Sequence, residues 1–116
     1  MGEDKGNKIL QECVGKSRDL TGLVEYSNDS VVSKTLIDKS AGTVTLFAFD
    51  KGQNLSEHTT PYDALVEVLD GEGEFVIGGE PVRSGAGEVL IMPADVPHSV
   101  KAIERFKMML VMVREK

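Results

Sequence analysis

Gly52–Gly71 reads GQNLSEHTTPYDALVEVLDG, and it contains His58, one of only two histidines in the chain. Asp50-Lys51-Gly52 is a turn signal ahead of it. Leu55–Thr60 leads through His58, and Pro61 ends or bends that segment because it cannot donate to a sheet ladder. Ala64–Leu69, ALVEVL, alternates as a strand, and Asp70-Gly71-Glu72-Gly73 is a hairpin signal. A second stretch of the same plan, Gly87–Ser99, reads GEVLIMPADVPHS and carries the other histidine, His98. Pro93 closes its strand, and Pro97 biases Val96 toward extended geometry. The two stretches predict two strand–turn–strand units that bring His58 and His98 together inside a small β-barrel.

The flanking sequence agrees with a barrel. Val31–Ile37, VVSKTLI, is rich in β-branched residues and reads as a strand after the Asn28-Asp29-Ser30 turn. Thr43–Phe49, TVTLFAF, places Val44, Leu46 and Ala48 on one face and Thr45, Phe47 and Phe49 on the other. Phe106–Val113, FKMMLVMV, places Phe106, Met108, Leu110 and Met112 opposite Lys107, Met109, Val111 and Val113. Both faces of these two strands are largely apolar. One face of each is expected in the core and the other against a second sheet or a partner subunit. Seven or eight short strands with frequent turns and no long helix describe an all-β domain, an antiparallel jelly-roll barrel, over 31–116. Residues 1–30 are read as a partly irregular N-terminal arm, because Gly15 and Gly22 interrupt any helical pattern.

Composition narrows the function. The chain has 116 residues, the size of one domain, and folding at this length buries roughly 60–70% of the surface exposed when unfolded. Thirteen basic against nineteen acidic residues give a formal charge of -6, which disfavours a nucleic-acid surface. No apolar run is long enough for a membrane helix, and the N-terminus, MGEDKGNKIL, has no signal-peptide core. Cys13 is the single cysteine, so neither an internal disulfide nor a cysteine zinc cluster is available. A cytoplasmic setting is expected.

With these motifs in view, the chain resembles a small single-domain cupin of the RmlC-like jelly-roll type. The first motif of that family runs glycine, five residues, His-x-His, three or four residues, Glu, six residues, glycine. Gly52, His58 and Gly71 match it; Thr60 stands at the second histidine and Ala64 at the glutamate. The second motif runs glycine, five residues, Pro-x-Gly, two residues, histidine, three residues, Asn. Gly87, Pro93 and His98 match; Asp95 and Ala102 stand at the inner glycine and the Asn. The resemblance covers roughly 31–113 and implies the double-stranded β-helix fold. It also implies a metal site of three histidines and a glutamate, of which this chain keeps His58 and His98. A divalent metal (Fe, Ni, Mn or Zn) on those two residues would have an incomplete shell, and a metal-free site is the other expectation. Asp63 is the nearest carboxylate to the missing glutamate, but strand alternation turns it outward if Ala64 faces inward.

Two function classes stay open. One is a small-molecule-binding cupin of unknown ligand with a degenerate two-histidine site between the sheets. The other is a cupin enzyme, oxygenase or isomerase in type, metal-dependent or metal-free, with His58 and His98 as catalytic residues on a small polar substrate. Thr60, Tyr62 and Met92 are the candidate pocket residues, Tyr62 at the cavity mouth. The doubly apolar strands predict a homodimer.

Overall fold

The computed structural model describes residues 8–114. It contains eight antiparallel strands: β1 (Lys8–Ile9), β2 (Val31–Lys39), β3 (Gly42–Phe49), β4 (Asn54–His58), β5 (Asp63–Ile77), β6 (Glu80–Gly85), β7 (Val89–Met92) and β8 (His98–Val113). Hydrogen bonding runs β1-β2-β3-β8-β5-β6, with β4 on β8 and β7 on β5. The jelly-roll expectation is met.

Two strands are longer than the sequence reading allows. Asp70–Gly73 is not a hairpin but a bulged bend inside the single 15-residue strand β5. Likewise Val96–Val100 and Phe106–Val113 are parts of the continuous 16-residue β8 and its lead-in. The ladder between these strands slips between Val68 and Asp70, and again between Gly71 and Gly73. Bulges bend strands sharply, and here they let β5 and β8 cross from one sheet to the other. Their first and last halves thus build both layers: β1-β2-β3-β8-β5-β7 on one side and β4-β8-β5-β6 on the other. The glycines that suggest a hairpin serve close approach. Gly71 has φ +72, and a Cβ there would fall on the Arg105 carbonyl oxygen. A Cβ at Gly73 would lie 2.7 Å from the Phe106 ring.

The inner faces meet around Phe106. Its ring stacks on Phe49 with centroids 4.6 Å apart and meets Phe75 edge-on at 6.0 Å. Val66, Val68, Val100 and Met108 fill the space around them. Each such buried side chain contributes roughly 1.5–3 kcal/mol relative to an exposed one.

The arm before β2 contains two short 3-10 turns, Gln11–Cys13 and Thr21–Leu23. It returns to its own barrel. Val24 packs on Leu46 and Ala48 with Leu20, Leu23 and Tyr26 around it, covering part of the outer face of β3 and β8. The second apolar face of those strands is therefore met partly by this arm.

Candidate functional site

Strand pairing explains how two distant histidines meet. His58 ends β4, His98 begins β8, and the two are direct partners across that ladder. Their side chains therefore project to the same face. His58 Nε2 and His98 Nε2 are 3.2 Å apart, with the rings nearly edge-on at 71°.

Each ring is oriented from behind in the same way. His58 Nδ1 lies 2.8 Å from the Ser56 carbonyl and His98 Nδ1 3.1 Å from the Val96 carbonyl. A carbonyl only accepts, so each Nδ1 carries the hydrogen and each Nε2 presents a lone pair. Two lone pairs facing at this distance repel unless a proton, a cation or a donor group lies between them. The pair thus presents two hydrogen-bond acceptors side by side.

The two imidazoles differ in setting. His98 is 4% exposed, whereas His58 is exposed at the mouth. Burial pushes the His98 imidazole below the ordinary histidine range, and the neighbouring His58 adds to the effect against its bond to the Val96 carbonyl.

Behind them lies a cavity of about 40 Å³, walled by Leu55, Thr60, Ala64, Met92, Val100 and the methionine-rich part of β8. It has room for a water molecule or two, or one small polar group of a ligand, and is far below the roughly 300–1,000 Å³ of a pocket that encloses a drug-sized molecule. His58, His98, Thr60 and Met92 all line this cavity. Thr60 turns its hydroxyl partly to its own loop, 3.2 Å from the Tyr62 carbonyl. Tyr62 stands apart from the lining. Its ring lies against the Arg114 guanidinium, 5.1 Å from the ring centroid, because the Thr60–Tyr62 turn directs it away. Leu55, Val100, Met108, Leu110 and Met112 complete the wall. Strand alternation from His98 reaches Val100, and alternation from Phe106 reaches the rest of the β8 wall, yet apolar type alone does not separate wall from core.

The donor set was tested against the metal shell that the resemblance implies. The Nε2 separation suits two imidazoles on one ion at bond lengths of about 2.0–2.1 Å. The remaining positions do not fit. Ala64 offers only a methyl group, and Asp63 faces outward with Oδ1 accepting from the Ala94 amide at 2.8 Å. Among the described residues no group of three or more His, Cys, Asp or Glu side chains could hold a metal. A two-histidine, one-carboxylate shell is not formed by these residues.

Comparison with known proteins bears on the same stretch. Residues 45–114 match the family model described as Cupin domain. A conserved protein of unknown function from Streptococcus pyogenes is 39% identical over 87% of this chain and 89% of its own, with a TM-score of 0.84. A cupin 2 conserved barrel domain protein from Leptotrichia buccalis is 42% identical over 81% of this chain and 46% of its own, with a TM-score of 0.79. A cupin superfamily protein from Desulfitobacterium hafniense is 25% identical over 97% of this chain and 100% of its own, with a TM-score of 0.84. No functionally curated protein matches significantly. The matched motifs, the crossed strands and these relatives agree: the chain belongs to the cupin family.

Proposed function

We propose that the protein is a small-molecule-binding cupin that recognises a hydroxyl- or amine-bearing ligand through His58 and His98. The observation that carries this reading is the convergence of two Nε2 acceptors at 3.2 Å with both Nδ1 atoms committed to carbonyls. An amine placed there can donate to both acceptors, and a hydroxyl to one of them. The small cavity takes only the donor group, and the remainder of the ligand lies at the mouth beside exposed His58. Ala64 and Thr60 leave the site without the carboxylate and third imidazole that would make it a full metal centre. A cytoplasmic location, supported by the lone Cys13, belongs to this reading.

The unlike settings of the two imidazoles favour a second reading. A ring that burial keeps neutral, beside an exposed ring, is placed to act as a base on one small substrate. In that reading His98 Nε2 takes a proton from one substrate atom and returns the same proton to another, while His58 Nε2 accepts a hydrogen bond from the substrate.

Metal analysis and a thermal-shift panel of small polyols, hydroxy acids and amines test the proposal on protein purified without a histidine tag. Stabilisation by a hydroxylated or amine compound, lost in His58→Ala, is expected. About one equivalent of bound iron, nickel, manganese or zinc that disappears in His58→Ala would overturn the metal-free reading. Turnover of the bound compound, abolished in His98→Gln, would select the enzyme.

A further inference from the structure

Among the described residues, no side chain in the wall of the histidine cavity has a hydrogen left to donate. His58 and His98 give their ring hydrogens to the Ser56 and Val96 carbonyls, and neither Ser56 nor Val96 lines the cavity. Each ring therefore turns an acceptor, Nε2, towards its neighbour. Thr60 gives its hydroxyl hydrogen to the Tyr62 carbonyl at 3.2 Å and takes the Tyr62 amide at 3.4 Å, so it brings no donor either. The rest of the wall is aliphatic side chains and the thioethers of Met92, Met108 and Met112, and a thioether only accepts.

A ligand group that fits this wall supplies donors and needs none in return. A carboxylate or phosphate oxygen brings acceptors alone. A hydroxyl has one hydrogen and two lone pairs. Seated here it satisfies one imidazole, leaves the other unpaired and finds no side-chain donor for its own oxygen. The ammonium of a primary amine has three hydrogens and no lone pair. A nitrogen about 2.9 Å from each Nε2 sees the two about 67° apart, so each N–H···N angle comes to about 150°, within hydrogen-bond range. The third hydrogen is left for a thioether or for water at the mouth. The volume agrees, since about 40 Å³ admits one group of the size of a water molecule. Burial holds His98 neutral, so that ring carries no charge to oppose a cation. Exposed His58 leaves one side of the group in contact with water, which limits the cost of desolvating a charge.

Resting on the small-molecule reading of the site, we infer that the histidine pair seats the ammonium group of a small primary amine and rejects the alcohol of the same shape. Discrimination comes from the donor count. The wrong ligand leaves an acceptor of the site unpaired, which costs more than the bond it fails to make. The formal charge of -6 on the chain draws cations towards it.

Three compounds with one alkyl chain test the seat: n-butylamine, n-butanol and butyltrimethylammonium. Each is titrated into the full chain at about pH 8, where imidazoles are neutral and aliphatic amines protonated. Ring-nitrogen NMR of His58 and His98 reads both the affinity and the place. The amine is expected to bind at least about tenfold tighter than the alcohol and to move both Nε2 signals. The quaternary ion carries the charge without a hydrogen and is expected to leave both unmoved. His58→Phe keeps a ring and removes its acceptor, and there the amine falls to the affinity of the alcohol. His58→Ala takes its place if circular dichroism shows that variant misfolded. An alcohol that binds as tightly as the amine overturns the seat and leaves the small-molecule reading standing. A quaternary ion that matches the amine overturns it too, because charge alone then selects. If none of the three moves either ring while a polyol or hydroxy acid of the thermal-shift panel binds, the ammonium seat falls and the small-molecule reading survives. If nothing from either set binds, both fall.

Discussion

The Tyr26 hydroxyl donates to Asp70 Oδ2 at 2.6 Å, joining residues 44 apart in sequence. Arg105 and Lys107 both lie over the Tyr26 ring, at 5.1 and 5.0 Å from its centroid. Lys107, buried to 8% exposure, sends Nζ to the Thr21 carbonyl at 2.6 Å. Desolvation and the bond to Asp70 push the Tyr26 hydroxyl well above the ordinary tyrosine range, so it stays a donor. One aromatic residue thus fastens the arm to the bend where β5 and β8 cross. Removing only the hydroxyl, in Tyr26→Phe, is expected to cost about 1 kcal/mol. Tyr26→Ala also removes the cation–π contacts and ring packing and is expected to cost about 3 kcal/mol or more. Urea unfolding of the two variants measures both, and equal losses would mean that the hydroxyl carries the whole latch.

The glycines of the bend give a second prediction. A side chain at Gly71 meets both a left-handed backbone and the Arg105 carbonyl. Gly71→Ala is expected to destabilise by about 1–3 kcal/mol from the backbone conformation, with the carbonyl contact adding to it. Gly87→Ala is the comparison. It has φ +89 but nothing within 4 Å of a Cβ, so only the conformational part applies. Thermal unfolding that ranks Gly87→Ala as the more damaging would overturn this account.

These two examples show what the sequence makes legible. Period-two alternation sorts Thr43–Phe49 and Phe106–Val113 onto the two faces that the β3–β8 ladder shows, because side-chain direction on a pleated sheet is a local property of parity. It also turns Asp63 outward beside inward Ala64. The family frame then brings His58 to His98 across 40 residues. Asp70–Gly73 misleads because a hairpin and a bulged crossing ask for the same residues. Both need a positive φ and an absent Cβ, and only the neighbouring Phe106 ring and Arg105 carbonyl decide between them. The reach of Tyr26 to Asp70 is equally hidden, since a tyrosine in an irregular arm carries no periodicity. Tyr62 leaves the cavity for a similar reason: a two-residue side-chain turn at Thr60 overrides its position in the motif.

The histidine pair predicts separable effects on stability and binding. His58 is exposed, and His58→Ala is expected to change stability by less than about 0.5 kcal/mol while removing ligand binding. His98→Ala leaves the Val96 carbonyl without its ring donor and opens a void beside Val100, which is expected to cost about 1–3 kcal/mol. Chemical denaturation with the thermal-shift panel separates the two. A His58→Ala protein as unstable as His98→Ala would make the pair a structural contact rather than a binding element.

Stability should fall in two steps on acidification. His98 has its folded pKa below the unfolded value of 6.5, so the unfolded chain binds more protons as the pH drops through that region. Its contribution is complete above 6.5 and lost as the pH falls toward the folded value. Asp50 behaves as a depressed carboxylate. Arg105 Nε donates to its Oδ1 at 2.7 Å and the Asp29 amide to its Oδ2 at 2.7 Å, holding the pKa down to about 2 from 3.8. That contribution is present above 3.8 and lost as the pH falls to about 2. Urea midpoints between pH 8 and pH 2 resolve the steps. His98→Gln should abolish the upper one and leave the lower, whereas Asp50→Asn should do the reverse. Persistence of the upper step in His98→Gln would assign it to another group and remove the evidence that burial keeps this imidazole neutral.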